Sequence, residues 1–150
     1  MDSLIDLQIP SEILNIISST NNLGIYIHYP FCIKECFYCD FYKTTKFDNK
    51  FYRNLLDQLS IFKYNLMDTG YRFDKVGTIY FGGGTPSLMS LSFLEKILKL
   101  IYENFETSKN VEISFEINPD LSKTYLRDLK KLGINRISIG VQSFNTFGLR

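Results

Sequence analysis

Two rhythms of apolar and polar residues alternate along this chain, one of period two and one close to the helical repeat. Gly24 to Tyr29 reads as a first strand, after which Phe51, Leu55, Leu59, Phe62 and Leu66 recur at helical spacing. Val76 to Phe81 follows as a second strand and runs into Gly82-Gly83-Gly84-Thr85-Pro86. Ser92 and Glu95 have capping-box spacing, and Leu91, Leu94, Leu98, Ile101 and Phe105 lay an apolar stripe along a second helix. Val111 to Ile117 reads as a third strand. A short helix from about Ser122 is expected to end at Gly133, where a left-handed cap costs little, and Arg136 to Val141 reads as a fourth strand.

Repeated β-α-β units imply an α/β fold with a parallel sheet and right-handed crossovers. Parallel strands buried on both faces usually read as continuous apolar runs, and these do not. On the third strand Val111, Ile113, Phe115 and Ile117 share one face, while Glu112, Ser114 and Glu116 share the other. On the fourth, Ile137, Ile139 and Val141 oppose Arg136, Ser138, Gly140 and Gln142. One face packs on helices and the other is polar. A full eight-stranded barrel is filled with bulky branched side chains, so polar stripes point to a wider or incomplete barrel that holds a polar ligand. A sheet with one solvated face is the alternative. Only nine residues follow Val141, too few to close a barrel. The expected organisation is a leader over residues 1–23 and a core over 24–150. That core forms roughly the first four β/α units of a TIM-like barrel, a fragment with an unprotected fourth-strand edge.

With 150 residues, 45% of them hydrophobic, the chain can bury one sizeable core. Seventeen Lys and Arg against sixteen Asp and Glu leave a formal charge of +1, which predicts no broad electrostatic grip on nucleic acid or anionic lipid. A small-molecule partner is expected instead. The stretch Met1-Asp2-Ser3-Leu4-Ile5-Asp6-Leu7 lacks the basic start of a secretory signal, and no uncharged run is apolar enough to span a bilayer. A cytoplasmic protein without stable membrane insertion is therefore expected.

The three cysteines, Cys32, Cys36 and Cys39, lie on one loop at the carboxyl end of the first strand. An odd number of close thiols reads as metal ligation or redox chemistry, because a disulfide framework needs pairs. Three thiolates can hold three irons of a four-iron, four-sulfur cluster and leave the fourth iron open to a small molecule. The other metal reading is a zinc site that takes His28, the only histidine, as its fourth ligand. Otherwise His28 is a polar residue on the inward face of the first strand.

The triple glycine sits directly after a strand, where it serves either as a plain turn or as backbone that approaches a ligand closely. It is not a P-loop, since no Gly-Lys-Ser/Thr follows. Glu116, at a strand end, suits either an ion pair or the acceptance of hydrogen bonds from an amine or a ribose.

Tyr26-Ile27-His28-Tyr29-Pro30-Phe31-Cys32, the C-x3-C-x2-C spacing and Asp40-Phe41 form one group of motifs. Phe81-Gly82-Gly83-Gly84-Thr85-Pro86-Ser87, Glu116-Ile117-Asn118-Pro119 and the run from Gly133 to Ser143 follow in order. Together they resemble the amino-terminal part of radical S-adenosylmethionine proteins, in the branch of oxygen-independent coproporphyrinogen III oxidases and HemW heme chaperones. The resemblance implies that Cys32, Cys36 and Cys39 ligate the cluster while S-adenosylmethionine chelates the open iron. One electron from the cluster then yields methionine and a 5′-deoxyadenosyl radical. It also implies cofactor contacts from Tyr26 beside the loop, from Tyr38 between the last two cysteines, and from Gly83, Gly84 and Thr85 at the methionine end. Glu116 and Gln142 are implied deeper in the barrel.

Oxidases of this type resemble one another in a fourth cysteine two residues after the third, where this chain has Phe41, and in a longer extension before the first strand. Both departures favour a HemW-like protein, which implies heme binding and delivery to an acceptor protein. The alternative is decarboxylation of coproporphyrinogen III to protoporphyrinogen IX. Either role implies an electron donor such as a flavodoxin or ferredoxin.

Overall fold

A computed structural model of the chain describes residues 22–68, 70 and 74–145. The expected leader lies outside the described residues, apart from its last two, which begin the first strand. The elements are β1 (Asn22–Tyr29), α1 (Asn49–Asp68), β2 (Lys75–Gly83), a 3-10 turn (Pro86–Leu88), α2 (Leu91–Asn104), β3 (Thr107–Ile117), α3 (Lys123–Lys131) and β4 (Arg136–Ile139). The sheet runs in the order β1-β2-β3-β4 and every neighbouring pair is parallel. Consecutive parallel strands joined by crossovers of one hand place the helices on one face, the winding of a β/α barrel.

That face carries the core. Ile25, Ile27 and Tyr29 of β1, Ile79 and Phe81 of β2, and Ile113, Phe115 and Ile117 of β3 are buried against Phe93, Leu94, Ile97, Leu98 and Ile101 of α2 and Leu129 of α3. The register slips between Val76 and Thr78, so Val76 and Ile79 are both buried although three positions separate them. Helix α1 is attached more loosely: Leu59 is buried and Phe51 and Leu55 partly so, but Phe62, on the expected stripe, is 39% exposed.

Two expectations are corrected. The cap of α2 is Ser90, not Ser92. Ser90 has the extended backbone that an N-cap requires, and its hydroxyl accepts from the Phe93 amide at 3.3 Å, whereas Ser92 already lies within the helix. Strand β4 ends at Ile139 rather than Val141, because the chain leaves the sheet through a tight turn in which the Val141 amide donates to the Ile139 carbonyl at 3.0 Å. Gly133 does end α3 in the left-handed region, with φ +94°.

Asn135 sets β4 against β3. Its side-chain oxygen accepts from the Ile113 amide and its nitrogen donates to the Val111 carbonyl, both at 2.8 Å. On the far side of β4, Ile137 and Ile139 are 39% and 53% exposed. Leu126, Lys130, Ile134 and Ile137 line a groove of about 470 Å³ between α3 and this edge.

Candidate functional site

The cysteine loop leaves β1 at Pro30 and is closed at its base. The Cys32 amide donates to the Thr44 carbonyl at 3.0 Å and the Thr44 amide to the Pro30 carbonyl at 2.9 Å, a short parallel bridge between Phe31 and Thr44. Phe31, 2% exposed, anchors that base by stacking on Phe47 at 4.9 Å and meeting Phe51 edge-on at 5.0 Å. Within the loop the Cys39 amide donates to the Cys36 carbonyl at 3.2 Å, and the Lys43 ammonium donates to the Cys39 carbonyl. All three cysteines are free thiols; Cys32 is buried, and Cys36 and Cys39 are partly exposed.

The glycine motif holds the loop from β2. The Gly84 amide donates to the Tyr29 carbonyl at 2.7 Å and the Thr85 amide to the Phe31 carbonyl at 2.9 Å. A Cβ on Gly84 would lie 2.6 Å from the Pro30 oxygen and 2.8 Å from the Phe31 oxygen, so only a bare α-carbon permits this contact. The Thr85 hydroxyl donates to the Cys32 sulfur at 3.4 Å. The approach expected toward a ligand is thus made, at Gly84, toward the backbone beside Cys32. One residue earlier, the Gly83 amide points to Glu116 of β3 and donates to Oε2 at 3.3 Å. The Asn118 amide, just past β3, reaches the Ser87 hydroxyl at 3.5 Å. Three strand ends are thereby fastened to one another.

The polar face lies behind this rim. Tyr26 and His28 of β1 share it with Tyr80 and Gly82 of β2, with Glu112, Ser114 and Glu116 of β3, and with Arg136 and Ser138 of β4. The Tyr80 hydroxyl donates to Glu116 Oε1 at 2.7 Å, and that bond, before burial, raises its phenol above the usual value. Burial followed by the Glu116 charge raises the Tyr26 phenol. At the amino-terminal end of the face, Glu112 pairs with Arg136 at 3.0 Å and accepts from Ser114 at 2.9 Å. The Ser114 hydroxyl, then the Arg136 charge, lowers its carboxyl.

His28 Nε2 donates to the Tyr42 carbonyl, which can only accept, at 3.0 Å, and its Nδ1 shares a hydrogen bond with the Tyr26 hydroxyl at 3.1 Å. Both ring nitrogens are engaged, which takes the imidazole away from the zinc reading. Among the described residues, no three His, Cys, Asp or Glu side chains converge closely enough for a single metal ion.

The structure therefore brings Cys32, Thr85, Gly84, Gly83 and Glu116 into one connected rim, with Tyr26 joined to it through His28. Tyr38 is half-exposed on the loop, and the neighbouring Cys36 raises its phenol. Gln142 lies outside the strand in which it was expected. It does not continue the polar face of β4 but sits beyond the strand in the left-handed region with φ 63°, exposed, its amide folded back over Gly140. Sequence reasoning passed over Tyr80 and Thr44. The period-two pattern of β2 places Tyr80 on the face of Gly82, whereas Thr44 carries no local signal.

Residues 26–150 match the model of the radical SAM superfamily. The chain is 40% identical over 129 residues to the heme chaperone HemW of Buchnera aphidicola subsp. Acyrthosiphon pisum (strain APS), across 83% of this chain and 33% of that protein. It is 34% identical over 127 residues to the oxygen-independent coproporphyrinogen III oxidase of Escherichia coli (strain K12), across 82% of this chain and 27% of that one. The solved structure of the Escherichia coli coproporphyrinogen III oxidase, a radical SAM enzyme, matches with a TM-score of 0.71 and 29% identity, across 92% of this chain and 32% of that chain. The chain thus spans about a third of the length of the HemW relative and of the solved oxidase.

Proposed function

Because the chain belongs to the radical SAM superfamily, we propose that it is the cluster-bearing part of a HemW-like heme chaperone. Membership implies S-adenosylmethionine and an iron–sulfur cluster as cofactors, and the four described strands with their three connecting helices correspond to part of the barrel of the solved oxidase. The proposed unit is residues 24–150. Within it Cys32, Cys36 and Cys39 hold the cluster, while Tyr26, Tyr38, Gly83, Gly84, Thr85, Glu116 and Gln142 meet S-adenosylmethionine.

The observation that carries the reading is the grip of the glycine motif on the cysteine loop. Three thiols share one short loop, no histidine competes for the metal, and the stem of the loop is held by two backbone bonds from β2. This donor set fits a cluster that leaves one iron open to a small ligand. When bound, cluster and S-adenosylmethionine supply one-electron chemistry; the protein supplies orientation. Gly84 and Thr85 fix the stem, Thr85 donates toward the Cys32 sulfur, and Glu116 offers a carboxylate on the polar face.

Phe41, 71% exposed where the resembling oxidases have a fourth cysteine, favours the chaperone, and heme is then the bound cargo handed to an acceptor protein. The likeness to the Escherichia coli oxidase supports the second reading, decarboxylation of coproporphyrinogen III. Anaerobic reconstitution with iron and sulfide analysis, electron paramagnetic resonance with and without S-adenosylmethionine, and heme titration test both. About four irons per chain, lost in Cys36→Ala, with stoichiometric heme binding and no decarboxylation, supports the chaperone. Turnover of coproporphyrinogen III by the cluster-loaded protein replaces it with the oxidase, and zinc or no metal removes both.

A further inference from the structure

Tyr80 belongs to none of the motifs above, yet it lies at the centre of the polar face. Its hydroxyl donates to Glu116 Oε1 at 2.7 Å, while the Gly83 amide takes Oε2 at 3.3 Å. Each oxygen of that carboxylate is therefore fixed by a different donor of β2. The ring of Tyr80 stacks on Tyr26 of β1 at 5.9 Å and 28°. A ring of β1 thus restrains the tyrosine that restrains Glu116.

Gly82 supplies the space. A Cβ there would stand 2.8 Å from Tyr80 Cε1, 3.0 Å from Tyr26 Cε2 and 3.2 Å from Glu116 Oε1. The first glycine of the motif makes room for this trio of side chains, whereas Gly84 makes room for the stem of the cysteine loop.

We propose that Tyr80 is the positioning residue of Glu116. It holds the carboxylate in one rotamer, so that the lone pairs left over after two bonds accept from the amine or vicinal hydroxyls of a ligand on the polar face. A carboxylate offers about four acceptor sites, and donors among the described residues fill two of them. The ligand rests on the reading above, that Glu116 meets S-adenosylmethionine.

The test is a double-mutant cycle on the reconstituted chain with Tyr80→Phe, Glu116→Gln and the pair, in which S-adenosylmethionine affinity is read by calorimetry and iron content and melting temperature serve as controls. Tyr80→Phe is expected to weaken S-adenosylmethionine roughly tenfold at unchanged iron content, the size of one hydrogen bond to a charged group. In the Glu116→Gln background the same change is expected to do nothing, because a positioning residue acts only through its partner. An equal loss in both backgrounds, or no loss in either, overturns the proposal.

A ligand-free readout separates this failure from that of the parent reading. With tyrosine labelled at ¹³Cζ, the Tyr80 resonance is expected to move on Glu116→Gln. A resonance that stays put overturns the pairing itself. A resonance that moves in a cluster-loaded wild type that binds no S-adenosylmethionine overturns the reading of the site, and with it the ligand role given to Tyr80.

Discussion

Gly84→Ala tests whether the glycine motif serves the cysteine loop. The added methyl would meet two carbonyl oxygens of the β1 end at 2.6 and 2.8 Å, closer than real Cβ contacts come. Both belong to backbone, and that backbone is also held by Thr44 and by the Phe31 ring stack. Relief requires β2 and the stem of the loop to separate, which breaks the bonds from the Gly84 and Thr85 amides. Each such bond is worth about 1 kcal/mol net, and squeezing an extra carbon into packed backbone costs roughly 1–3 kcal/mol. Since breaking the bonds relieves part of the clash, the expected loss is about 2–4 kcal/mol.

Gly77→Ala is the control. Its Cβ would meet the side chain of Asn22 at 3.1 Å, near the exposed start of β1, where a shift of about half a kcal/mol or less is expected. Urea unfolding followed by circular dichroism, with linear extrapolation, reads both. Iron content after reconstitution should fall for Gly84→Ala alone. Wild-type stability in Gly84→Ala, or equal losses in the two variants, would refute the claim that close approach at Gly84 builds the loop.

Two further outcomes concern the scaffold. Tyr29 is fully buried against Tyr52, and burial, then that hydrogen bond, raises its phenol. A raised native pKa gives stability that is complete below the free phenol value of about 10 and declines as pH rises beyond it. Alkaline unfolding curves of wild type and Tyr29→Phe should therefore differ, with the shallower decline above that pH in the variant; parallel declines would remove Tyr29 as a cause. At the start of α2, Ser90→Ala should cost about 1 kcal/mol and Ser92→Ala no more than about 0.5 kcal/mol in chemical denaturation. The reverse order would restore the capping box first read from the spacing.

Much of this fold could be read in the chain because each βα unit carries its own periodicity. The alternation of Val111, Ile113, Phe115 and Ile117 with Glu112, Ser114 and Glu116 by itself separates the core face of β3 from its polar face. It failed where pairing, not composition, decides. Val141 and Gln142 continue the alternation of β4, yet the backbone turns away after Ile139, and Gln142 takes a left-handed conformation that side-chain period cannot announce. The N-cap of α2 failed for a similar reason, since Ser90 and Ser92 are equivalent in composition and only backbone dihedral angles separate them. At the site, the cysteines and glycines stood out by spacing. What joins them did not, because the bonds from Thr44, Gly84 and Thr85 run from main chain to main chain and leave no mark on side-chain identity.

The bond between Thr85 and Cys32 spans 53 residues. A growing chain exposes its three thiols well before the glycines that grip their loop have been made, and at roughly 5–20 residues per second that interval lasts seconds. During it the cysteine loop has only its local partners, Thr44, Phe47 and Phe51, to hold its base. Docking of β2 is the event that adds the Gly84 and Thr85 bonds to that loop, and on the function proposed above a cluster would be received only after the first βαβ unit has closed.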